Sequence, residues 1–141
     1  MYNRIKNIQK SGDVYTIIEC GTSAIVSNTL MSCPGASSMI SECYQPYSKN
    51  NQVRFLESDF KRSVSIEWIL LAFKKIEGPC FITQYQTQSG DKRLLTHGYI
   101  GIRGKNGTRI YHQSIYNSRY NWDIEHESEE MDKRISILNL I

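Results

Sequence analysis

The chain has 141 residues, 40% hydrophobic and 22% charged, which fits one globular domain spanning 1–141 and excludes wholesale disorder. Its net charge is only +3, and the bases are scattered in pairs such as Lys61-Arg62 and Lys74-Lys75, which argues against a nucleic-acid surface. No apolar run approaches the roughly 20 residues that cross a bilayer. The N-terminal "MYNRIKNIQKSG" also lacks the apolar stretch of a signal peptide. A cytoplasmic protein with no membrane partner is expected. Cys20, Cys33, Cys43 and Cys80 contain no Cys-x-x-Cys pair, and the three histidines stand apart. Reduced thiols, no metal site and no cofactor are expected.

Residues 2–10 are a weak helix pattern stopped by Ser11-Gly12. "VYTIIEC" (14–20) is short, apolar and β-branched, as a buried strand should be. Residues 22–32 follow with Ile25, Val26, Leu30 and Met31 near helical spacing, and Pro34-Gly35 ends the run. "SMISECYQ" (38–45) alternates as a strand, and "KNNQVRFL" reads as a short helix. "SVSIEWILLAFKKI" (63–76) is the firmest helix, with Ser63 or Ser65 as N-cap and Ile66, Ile69, Leu70 and Phe73 on one face. Segments 80–88, 95–104 and 108–116 are strand-like, with Asn106-Gly107 as a hairpin turn. Residues 126–141 open acidic and carry bases further along, which suits a closing helix. The fold class expected is three-layer α/β/α, with a mixed, mostly parallel sheet of about five strands.

The order of short motifs resembles the C-terminal domain of CinA, the nicotinamide mononucleotide deamidase family. The matching pieces are Glu19-Cys20-Gly21-Thr22-Ser23-Ala24, Pro34-Gly35-Ala36-Ser37, Tyr47-Ser48-Lys49-Asn50-Asn51-Gln52 and Val64-Ser65. Pro46-Tyr47-Ser48, Gly90-Asp91-Lys92-Arg93 and Glu129-Glu130 are similar to a divergent, free-standing CinA-like branch. The resemblance covers roughly residues 10–141. It implies a small-molecule nucleotide ligand, amidohydrolase-like chemistry, and self-association into a homo-oligomer.

Departures from the family pattern fall on the chemistry. The serine that the family places in its first motif is Cys20, and the lysine that ends its tyrosine motif is Gln52. Glutamine cannot take a proton, so a hydroxyl at Thr22 lacks the base it needs. Lys49, one helical turn before Gln52, is a candidate substitute base. Cys20 as a thiolate needs a nearby cation, and a cysteine ending an apolar strand is more often a small core residue. Tyr47 is a candidate for either catalysis or ligand contact.

Binding survives those losses better than turnover does. Gly21, Ser23 and Ala24 form a small-residue turn whose backbone amides at a helix start suit a phosphate; a plain helix cap is the alternative. The resemblance adds Ser37, Ser48, Gln52 and Thr83 as ligand-binding candidates, and Arg93, Lys92 and Arg119 as cations for a phosphate. Three readings follow. The first is a nucleotide-binding domain with catalysis lost or impaired. The second is an active amidohydrolase deamidating nicotinamide mononucleotide or a relative. The third is an interaction domain with a vestigial pocket. The first two require Thr22 and Tyr47 to flank one cleft.

Overall fold

Apolar residues on both faces of one short segment fix the centre of the fold. β1 (Tyr15–Cys20) buries Ile17 on one side and Ile18 on the other, both with no exposed surface, so it must be covered twice. The computed structural model describes residues 2–22, 24–89 and 93–118. With β1 it forms a five-stranded sheet from β2 (Ile40–Tyr44), β3 (Cys80–Ser89), β4 (Arg93–Gly104) and β5 (Gly107–Ser118), in the order β2-β1-β3-β4-β5. β1 runs parallel to β2 and β3, whereas β3–β4 and β4–β5 are antiparallel. The sheet is mixed and flanked by helices, an α/β fold.

α1 (Tyr2–Ser11) and α2 (Ile25–Met31) cover one face, where Ile5, Ile8, Val26 and Leu30 pack on Ile17, Phe81 and Ile100. α3 (Lys49–Leu56) and α4 (Ile66–Lys75) cover the other, where Leu56, Trp68, Ile69 and Phe73 pack on Ile18, Cys20 and Ile82. The stripe expected on α4 is rotated. Ile66 and Leu70 are exposed, and Trp68 and Ala72 take the inner side with Ile69 and Phe73. The aromatic Trp68 buries more area than Ile66 would, which sets the rotation. Ser65 rather than Ser63 is the cap, accepting from the Trp68 N–H at 3.1 Å.

The hairpin turn lies one residue earlier than expected. Lys105 and Asn106 make it with ordinary negative φ, and Gly107 follows at φ +103° opposite Gly104, as in a turn closed by a glycine bulge. The helix expected over 126–141, the Gly90–Lys92 stretch, Ser23 and Arg119 lie outside the described residues. No helix among the described residues is long and apolar enough to cross a membrane.

The strand order places the site. β1 leads through α2 to β2 on one side, and the chain then returns through α3 and α4 to β3 on the other side. The first crossover ends beside β1 on one side and the second ends beside it on the other, a change of direction that marks the carboxyl ends of β1 and β3 as the crevice expected of an open α/β sheet. In open α/β sheets that is where ligands bind.

Candidate functional site at the β1–β3 switch point

On the α2 side of this point the described polar side chains bond one another. Glu19 is almost wholly buried. Its carboxylate accepts from the Val26 N–H at 2.8 Å, the Ser27 N–H at 3.0 Å, the Ser27 hydroxyl at 2.6 Å and the Thr22 hydroxyl at 3.0 Å. It caps α2 from the preceding strand, and the amides at that helix start are therefore not free for a phosphate. Thr22 is 0% exposed, and its hydroxyl also lies 3.1 Å from that of Thr83. Gly21, at φ +84°, presses this loop onto β3, where a Cβ would stand 2.1 Å from the Tyr85 carbonyl oxygen. The loop is a structural clamp.

On the α3–α4 side the polar groups are not spent. Cys20 and Gln84 are register partners on adjacent parallel strands and face the same way. The Cys20 thiol donates to the Pro46 carbonyl at 3.0 Å, and Gln52 Nε2 donates to the next carbonyl, that of Tyr47, at 2.9 Å. Gln52 is 4% exposed and Gln84 1%. Yet among the described residues Gln52 Oε1 and Gln84 Nε2 have no partner, nor has Nε1 of the buried Trp68 on the same layer. Buried polar atoms are nearly always bonded, and leaving one unsatisfied costs about 1–3 kcal/mol. One buried acceptor and two buried donors on the α3–α4 side of the sheet are thus left without partners among the described residues. The thiol beside them is held protonated at neutral pH: burial, reinforced by the Glu19 charge, pushes Cys20 up to about 12.

Solved structures bear on this arrangement. Over 99% of its length the chain matches 89% of the competence/damage inducible protein CihA from Agrobacterium tumefaciens, with a TM-score of 0.67 and 14% identity. It matches a CinA superfamily protein from Klebsiella pneumoniae over 96% of this chain and 91% of that one, with a TM-score of 0.66 and 10% identity. Against a CinA superfamily protein from Escherichia coli the TM-score is 0.57 at 9% identity, covering 96% and 83%. The chain has the CinA-like fold. No family model and no curated protein sequence matches it.

Within this CinA-like domain the expected site residues separate. Thr22 is sealed on the α2 side and Tyr47 is 74% exposed, so they do not flank a shared cleft. Only the backbone of Pro46–Tyr47 borders the crevice, through Cys20 and Gln52. Ser48 caps α3, accepting from the Asn51 N–H. Lys49, exposed at the start of α3, stands 5.8 Å from the Phe60 ring centroid, a cation–π contact, whereas Thr22 is sealed on the α2 side. Ser37 precedes β2, and β1 and β2 are parallel, so the Pro34–Ser37 turn lies at the end of the strands remote from the crevice. Arg93 begins β4 opposite Ser118. Gln84, Gln86 and His97 were missed. Their signal was present: along Cys80, Ile82, Gln84 and Gln86 the inward positions turn from apolar to polar.

Proposed function

We propose that this CinA-like domain binds a pyridine nucleotide, or a related phosphate-bearing small molecule, not between Thr22 and Tyr47, where the sequence led us to expect it, but by its carboxamide in the β1–β3 crevice, and does not hydrolyse it. The observation that carries this reading is the buried, unpartnered pair Gln52 Oε1 and Gln84 Nε2. A primary carboxamide offers the complement, an N–H donor for the one and a carbonyl acceptor for the other, with Trp68 Nε1 as a second donor. Hydrolysis lacks its parts. Gln52 cannot act as a base, Cys20 keeps its proton, Thr22 has no exposed surface, and Lys49 is engaged with Phe60.

A melting-temperature titration tests the reading. Nicotinamide mononucleotide at a hundred times its Kd adds about 2.7 kcal/mol of stability, and Gln84→Leu or Gln52→Leu removes that gain. A ligand panel of pyridine nucleotides and nucleosides that never moves the transition sinks the reading. Ammonia released in proportion to protein establishes the hydrolase instead.

A further inference from the structure

Beyond Gln84 on the same face, the next inward position of β3 opens into a separate space. Gln86 and His97 are register partners on β3 and β4. With Arg62, Ser63 and Val64, from the segment before α4, they line a cavity of about 470 Å³. His97 Nε2 lies 2.9 Å from Gln86 Nε2, and its Nδ1 lies 3.5 Å from Nε2 of His112 on β5. The neutral ring therefore accepts from the Gln86 amide and donates towards His112. Among the described residues the Arg62 guanidinium has no carboxylate partner. The cavity thus holds, among the described residues, one permanent cation, one hydroxyl, one amide and one imidazole that can charge, and none of those lining it is an acid.

We propose that this cavity is an oxyanion subsite that takes the phosphate of the ligand whose carboxamide occupies the crevice. The ligand's identity rests on the reading above; the anion site does not. Two residues along β3, about 6.6 Å, separate Gln84 from Gln86, so one small nucleotide spans both. Arg62 pairs with the phosphate oxygens, Ser63 donates its hydroxyl, and the anion draws a proton onto His97. Protonated, both ring nitrogens donate, so the Gln86 amide reverses: Oε1 accepts from His97 Nε2 and the NH₂ group turns to the phosphate. The groups facing His97 are Gln86 from β3, His112 from β5, with Tyr99 of β4 against it, and Arg62 and Ser63 from the loop. Desolvation and the neighbouring His112 lower the pKa of the empty His97, so the ring starts neutral and proton uptake accompanies anion binding.

The experiment follows the His97 imidazole resonances by NMR while inorganic phosphate is added to the whole chain. It also compares nicotinamide mononucleotide with its phosphate-free nucleoside. We expect phosphate to shift His97 saturably and raise its titration midpoint in the native chain but not in Arg62→Ala, an exposed substitution that leaves the fold intact. Arg62→Ala should weaken the mononucleotide about tenfold and leave the nucleoside within about twofold. Unmoved His97 resonances, an equal response in Arg62→Ala, or equal weakening of nucleotide and nucleoside overturns the subsite. A phosphate response at His97 without nucleoside binding upholds the subsite and removes the carboxamide reading.

Discussion

Gly21 and Glu19 show how little of a motif's meaning lies in its letters. Gly21 opens a turn read from sequence as a phosphate loop and Glu19 precedes it on β1, and both serve packing. A Gly21→Ala chain must place a methyl 2.1 Å from the Tyr85 oxygen at a positive φ, and we expect a loss of about 3 kcal/mol in urea unfolding. Glu19→Gln keeps the shape but removes the charge from four hydrogen bonds, one of them 2.6 Å long. A loss of about 2–3 kcal/mol is expected by the same measurement; an unchanged midpoint would refute the clamp. The thiols divide by burial. Cys43 is exposed, whereas Cys20 and Cys80 are buried and each is pushed up to about 12, chiefly by desolvation. Mass spectrometry after iodoacetamide treatment at pH 7.5 should find Cys43 alkylated, and Cys20 and Cys80 intact until denaturant is added.

Elements were more legible than the directions in which their side chains point. The β1–α2 unit, the short α3 and the α4 helix all appear where period and punctuation put them, because buried strands and amphipathic helices carry dense local signals. The site was harder to read. The resemblance offers Ser37 as a ligand contact, but only the parallel pairing of β1 and β2 reveals at which end of the strands its turn lies. Thr22 and Thr83 look like reactive hydroxyls in a list of residues, and each proves to be the other's buried partner. Gln84 and Gln86 on β3 face the layer of α3 and α4, so their role depends on elements far away in the chain. The α4 N-cap offers a local check: Ser65→Ala loses the bond to the Trp68 amide. We expect about 1 kcal/mol of destabilisation by chemical denaturation, and no change would place the cap elsewhere.

At the scale of the whole molecule, stability should depend on pH through His97. Its pKa is lowered in the fold, by desolvation first and His112 second, from an ordinary value of 6.5. Well above 6.5 the ring is neutral in both states and contributes no slope. As the pH falls through 6.5 the unfolded chain binds the proton first, and stability drops until the folded ring titrates as well. The melting temperature should therefore fall between pH 7.5 and 5, and His97→Gln should reduce that fall. Equal slopes in both chains would show that another group sets it.

Ligand-observed NMR on nicotinamide mononucleotide with the intact chain reports binding and chemistry in one tube. We expect saturation transfer from protein to the ring and carboxamide protons, absent with Gln84→Leu, while the carboxamide signals keep their intensity for hours. No transfer to the native chain, or conversion of the carboxamide to the acid with ammonia appearing, contradicts a crevice that holds an amide and leaves it whole.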